Sequence, residues 1–314
     1  MTRILIAAAL LIALSCSKTT APPKAQDVRV SSPVEVETTT SEQPVDAPKV
    51  VIQDVGFETP ESVLYDQNSD RYLVSNINGS PFEVDGNGFI SRITPDGRVE
   101  KLKWIDGQNA GVVLNAPKGM ALSGDILYIA DIDHIRLFNR NTGEAIGSTP
   151  IRGATFLNGM ATGPDDTVYV SDSGLTTDFK PSGTDAIYAL KEGQFRTVIK
   201  APDLGRPNGL VVHKNTIWCV TFRTGELFSV TTEGEKGPSR KMPKGGLDGL
   251  IKIHDGRLLF SSWGGSAIYA GKPEGSFRAI LMGLPNAADI GFDPQRNRVL
   301  IPLFNANRVE LRKL

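Results

Sequence analysis

One grammar repeats six times between residue 49 and the C-terminus of this 314-residue chain, and it leaves few folds open. Each unit has a polar anchor, a short apolar stretch, a turn, a second apolar strand and a third. The second strands are the most regular, at 72–76, 127–131, 168–172, 217–221, 258–262 and 299–303. Nine to eleven residues before each stands an anchor: Glu61, Lys118, Asn158, Asn208, Asp248 and Asp289 in turn. Successive anchors lie 57, 40, 50, 40 and 41 residues apart. A period near 40 with three to four strands per unit belongs to propeller blades rather than to a helical solenoid. No window sustains the i, i+3, i+4, i+7 spacing of an amphipathic helix, so helices should be few.

Third strands follow at 89–94, 134–138, 186–190, 226–230 and 267–270. Turn chemistry closes several of them, as in Pro95-Asp-Gly97 and Lys191-Glu-Gly193. The 32 glycines and 20 prolines are spread along the chain, as many short strands require. The last unit ends at 308–314 with nothing after it, and residues 49–54 can supply its missing fourth strand. Pairing both termini in one blade removes an edge that would otherwise invite aggregation. The expectation is an all-β, six-bladed β-propeller over 49–314, closed by an N-terminal strand in the last blade. Two units are oversized, with insertions at 76–88 and 173–183, where ligand contacts tend to collect on a rigid scaffold.

The net charge of −1 and a 7% aromatic content exclude a nucleic-acid surface. Residues 1–15 read as a signal peptide: Arg3 precedes an eleven-residue apolar run, too short to span a bilayer. The run ends at Ala13-Leu14-Ser15-Cys16, which resembles a bacterial lipobox and makes Cys16 the expected lipidation site. The other reading is a plain secretory signal with an incidental cysteine. Residues 16–48, rich in Thr, Ser, Pro, Glu and Val, carry no period and read as a disordered tether. A lipid-anchored monomer in the bacterial cell envelope follows, most simply on the periplasmic side of the outer membrane. Membrane contact would then run through the anchor alone. Cys219, in an apolar strand, reads as an inert small hydrophobe.

Inner strands of a propeller line a central channel, so the anchors should form a ring near one mouth, where a small-molecule substrate or ligand would bind. Every anchor is polar and three are acidic. Inward-facing carboxylates repel one another, and a hard cation relieves that. Glu61, Asn158, Asn208 and Asp248 offer four oxygens suited to one divalent ion, calcium first, with zinc, manganese and magnesium as alternatives. The competing reading is that Asn-Gly and Asp-Gly simply start strands and cap backbone groups. His134, His213 and His254 lie away from the anchors, and no nucleophile elbow or phosphate loop is present.

This blade pattern, with its anchors, resembles the gluconolactonase family that includes senescence marker protein (regucalcin), with paraoxonases and strictosidine synthase-like proteins as cousins. The similarity covers about residues 55–314. It implies that Glu61, Asn208 and Asp248 bind one divalent cation and that Asn158 contacts substrate or metal. The chain departs from that pattern at Phe156, where gluconolactonases have arginine, and at Lys118, where paraoxonases have histidine. Asp131 and Asp133 are placed to pair with Lys118. Two functions remain open. One is a metal-dependent lactone or ester hydrolase, with Asp248, Asp289 and Lys118 as candidate catalytic residues. The other is a non-catalytic envelope propeller that binds a ligand or a protein partner.

Cys16→Ser should leave the chain without acyl groups and release it from membranes on gentle washing. Cell fractionation and mass spectrometry of the N-terminal peptide check this, and detergent-only extraction of the variant would contradict it.

Overall fold

The computed structural model describes residues 49–314. The signal segment, Cys16 and the tether lie outside the described residues. The described chain forms six four-stranded antiparallel sheets, each a blade, arranged as a six-bladed β-propeller. The innermost strands are Pro60–Asp66, Pro117–Ser123, Leu157–Thr162, Pro207–His213, Leu247–Lys252 and Gly291–Asp293. Among the described residues the only helical element is the 3₁₀ turn Phe304–Ala306. No helix there is long and apolar enough to cross a membrane.

Burial peaks at the second strands and falls towards the rim. The second strands Val168–Asp172 and Leu258–Ser262 are buried at every position, because a neighbouring blade covers each face. The outermost strand Ala145–Pro150 is almost wholly exposed. The core is accordingly divided. Six hydrophobic clusters form among the described residues, one in each interface between adjacent blades. The cluster joining the last blade to the first includes Ile52, Phe57, Tyr72, Leu300 and Val309.

The ring closes as the unpaired terminal strands suggest. Lys49–Ile52 is the outer strand of the sixth blade and runs antiparallel to Arg308–Lys313, with Lys49 opposite Arg312 and Ile52 opposite Val309. Nearer the axis, the Tyr72 hydroxyl donates to Asp293 Oδ2 at 2.5 Å and Arg296 donates to Asp70 at 2.7 Å, both tying blade six to blade one.

At the start of the inner strands the pairing with the second strand slips. In blade three Leu157 faces Asp172 and Met160 faces Val170, so Asn158 and Gly159 together oppose one residue. The same bulge recurs at Lys118, Asn208 and Asp248, and a shorter one at Glu61. A bulge turns its residues out of the ladder and re-aims their side chains. Here the anchor side chain turns to the channel and the next residue turns to the neighbouring blade. That approach leaves no room for a side chain. A Cβ on Gly159 would lie 2.5 Å from the Asn208 carbonyl oxygen, and one on Gly249 2.2 Å from the Ile290 nitrogen. Serines on the second strands stitch the bulges: Ser171 Oγ donates to Asn208 O at 2.8 Å, and Ser261 Oγ accepts from Gly249 N at 2.8 Å.

A chain starting at residue 55 should be less stable than one starting at residue 49 by about 2–4 kcal/mol, from the lost burial of Ile52 and the lost ladder. Thermal melting and light scattering check this. The shorter chain should also self-associate, because the 308–313 edge is bare.

Candidate functional site

The anchors converge as the spacing predicts, with one exception. Glu61, Lys118, Asn158, Asn208 and Asp248 line a single cavity of about 350 Å³ at one mouth of the channel. All five are buried, none more than 6% exposed. Asp289 does not join them. Its inner strand starts only at Gly291, so the anchor sits ahead of the strand and out of phase with the others. The Asp289 carboxylate accepts a hydrogen bond from Ser62 Oγ at 2.6 Å and lines a cavity on the other side of the ring.

The orphaned atoms of this floor are informative. Glu61 Oε2, Asn158 Oδ1, Asn208 Oδ1 and Asp248 Oδ1 are all fully buried and none has a hydrogen-bond partner. Buried acceptors are almost always paired. Here four, one from each of blades one, three, four and five, go unpaired in one pocket. Asn158 shows how deliberately they are aimed: its Nδ2 donates to Ser173 Oγ at 3.1 Å, and Ser173 Oγ donates to Pro207 O at 2.7 Å, which turns Oδ1 towards the cavity. All-oxygen donors of this kind, two carboxylates and two amides, suit a hard divalent cation. Among the described residues no three His, Cys, Asp or Glu side chains gather as a metal cluster, so the two amides would be essential to any such ion.

Electrostatics give the same picture. Glu61 is held well above the usual carboxylate range, first by burial and then by the charges of Asp248 and Asp289, with Lys118 opposing. Asp248 is raised by burial and by Asp289, and is only partly relieved by nearby Trp263 and Asn208; the Trp263 indole N–H itself makes no hydrogen bond. Burial pushes Asp289 up to about 6 against the pull of the Ser62 hydroxyl. Burial also lowers Lys118 to about 8, countered by the charges of Asp131 and Glu61. The Lys118 ammonium donates to Pro81 O at 3.2 Å and Ala116 O at 3.1 Å, and lies 4.4 Å from the centre of the Phe156 ring. Neither Asp131 nor Asp133 pairs with it directly. Asp131 is taken by Arg136 Nε at 2.7 Å and by the backbone of Ala116, and Asp133 faces His134.

The walls come from residues the repeat did not single out. Ile77, Ser173, Phe222, Trp263 and Phe304 line the cavity, and each is the first residue after its blade's second strand. That shared offset was the signal available in the sequence. Both oversized insertions also contribute, through Gly79 and Pro81 from 76–88 and through Leu175 and Phe179 from 173–183. Arg206 lines the pocket too. Cys219 is fully buried in its strand, and burial raises its thiol far above the usual range, as an inert residue requires.

Fold and site together define a six-bladed propeller with a polar floor at one mouth of its channel. No known family model matches the sequence, and no curated protein matches it. Its structural neighbours include gluconolactonase-like propellers. A gluconolactonase from Xanthomonas campestris is 17% identical with a TM-score of 0.65, covering 86% of this chain and 91% of that one. A structural-genomics target grouped with the gluconolactonases is 16% identical with a TM-score of 0.65, covering 86% and 93%. A catalytically inactive virginiamycin B lyase from Staphylococcus aureus, solved with quinupristin, is 14% identical with a TM-score of 0.58, covering 85% and 100%. Likeness at this level of identity carries the fold alone.

The raised carboxylates set a sign for pH. A group whose pKa is raised on folding adds stability below its unfolded pKa, about 4, and that stability is lost as pH rises through the folded value. In chelator, Glu61→Gln should therefore melt above the wild type at pH 8, by at least about 2 °C. The difference should vanish near pH 4. Calorimetry across that range checks both.

Proposed function

We propose that the chain is a divalent-metal-dependent hydrolase of lactones or other small esters, held at the bacterial cell envelope through Cys16. What carries the reading is the set of four unpaired buried oxygens, of Glu61, Asn158, Asn208 and Asp248, around one ligand-sized cavity. These four residues would hold the cation, and when bound it supplies Lewis-acid polarisation of the substrate carbonyl.

The chain's own residues supply the rest. Asp248, which burial and the charge of Asp289 hold towards its neutral form, would be ionised beside a cation and is then placed to take a proton from the attacking water. Glu61 supplies the second carboxylate of the floor, and burial and the charge of Asp248 raise its pKa until a cation offsets them. Lys118 is fixed by two carbonyls beside the floor, with a pKa near 8. Its placement suits stabilising an oxyanion or returning a proton to the leaving alkoxide. Asp289, bonded to Ser62 outside this cavity, acts on the site through its charge.

Calcium should raise the melting temperature and chelator should lower it, with a stabilisation of about 2.7 kcal/mol at a hundredfold excess over the dissociation constant. Asp248→Asn should shrink that response and lower hydrolysis by at least about a hundredfold, as loss of a positioned base does. Lys118→Ala should alter turnover while the ion response persists, because an ammonium is no metal ligand. If calcium, magnesium, manganese and zinc all leave the melting curve in place, the propeller is a binding module instead.

A further inference from the structure

We propose that the substrate is an apolar one: a lactone or ester whose body is a flat aromatic or hydrocarbon group, with Arg206 donating to one of its oxygens. This inference rests on reading the pocket as a hydrolase site, and it names the substrate class.

Above the polar floor the cavity is walled by two aromatic groups. On one side Phe156 and Phe179 are joined by Phe82, whose ring centre lies 4.9 Å from that of Phe156 and 5.1 Å from that of Phe179. This wall draws on both oversized insertions at once. On the other side Trp263 packs between Phe222 and Phe304, with both centroid separations at 5.4 Å. A polyhydroxylated sugar lactone would leave most of its hydroxyls without partners against such walls, at a cost for each. A flat apolar body gains area and ring contacts on both sides. Phe179 also reaches out from the rim, 56% exposed, where an incoming apolar group would first meet it.

Beside the neutral polar groups of Ser173, Asn305 and the Trp263 indole N–H, Arg206 is the one charged side chain among the walls. Its backbone is left-handed, at φ 62°, a conformation that costs a non-glycine residue energy. Asp185 holds it there by accepting from the Gly205 and Arg206 amides at 3.1 Å and 2.8 Å. Its guanidinium is steadied by one bond, from Nη2 to Phe179 O at 2.9 Å, while Nε is buried and has no partner. A buried guanidinium N–H at the edge of a cavity is a donor awaiting an oxygen. The position bears on a departure in the sequence. The gluconolactonase-like pattern has an arginine two residues before Asn158, where this chain has Phe156. Arg206 holds that same offset from Asn208, one blade further on. In this chain the donor stands in blade four, and the equivalent place in blade three is part of the aromatic wall.

The test compares γ-phenyl-γ-butyrolactone with glucono-1,5-lactone, and uses phenylcyclopentane as a probe without oxygens. Binding is read by stopped-flow tryptophan quenching, and hydrolysis in the same samples by pH-stat. The phenyl lactone should bind at least about tenfold more tightly than the sugar lactone. Phe179→Ser, at an exposed tip, should weaken it about three- to tenfold, the worth of one aromatic contact. Arg206→Gln should weaken it about tenfold, the worth of a charge-assisted bond, while leaving phenylcyclopentane unchanged. Equal or tighter binding of the sugar lactone, no binding of either, or insensitivity to both substitutions overturns the inference. Preferred hydrolysis of the sugar lactone overturns it while the hydrolase reading stands. Binding as expected with no hydrolysis of any ester upholds the pocket's preference and removes the hydrolase reading.

Discussion

The propeller depends on how closely its inner strands approach one another around the axis. Gly119, Gly159, Gly209, Gly249 and Gly291 each face the backbone of the next blade at a distance that no Cβ could tolerate. At the join of blades six and one, Asp289 N donates to Glu61 O at 2.8 Å and Val63 N donates to Asp289 O at 3.2 Å. Blades held this tightly at the axis must splay outwards, and the interblade wedges are then filled by the six apolar clusters. Close packing at the centre is thus the condition for burial further out.

The same bulge that points a glycine at the neighbouring blade points an anchor at the channel. Structure and chemistry are therefore set by adjacent residues, and neither can shift without the other. This explains how the chain sustains an electrostatic arrangement that is unfavourable on its own. Two carboxylates and an ammonium are desolvated in one cavity, and the carboxylates are driven towards their neutral forms. A flexible loop would relax such a cluster into water. Here every member sits on a buried stretch of an inner strand that is packed against the next blade, so relaxation would require a blade to move.

Much of this was legible in the sequence because propeller blades repeat. The second strands at 72–76 and 168–172, the terminal pairing and the four floor residues all follow from one spacing. Asp289 shows the limit. It keeps the spacing, but its glycine comes two residues later instead of one, and the shift takes its carboxylate out of the pocket. The partner of Lys118 was also hidden, because two backbone carbonyls and an aromatic ring satisfy it, and none of these leaves a trace in a residue pattern. One aromatic wall was spread over three blades at constant offset from the second strands, and the other came from the two insertions and from Phe156. Only the curvature of the ring brings Trp263 between Phe222 and Phe304.

The terminal pairing also fixes an order of events. Lys49 is among the first residues of the folded region to be synthesised, and its partner Arg312 is among the last. Five blades can assemble from strands that are neighbours in the chain, but the sixth has to wait until translation is nearly complete. Through that interval the early strand has no ladder to join, and the first and fifth blades each present an uncovered apolar flank. A ring sealed by its two ends is thus a molecule whose most vulnerable moment is its last one before completion. A chaperone that shields this open arc would act on the final step and have no purchase on the finished fold.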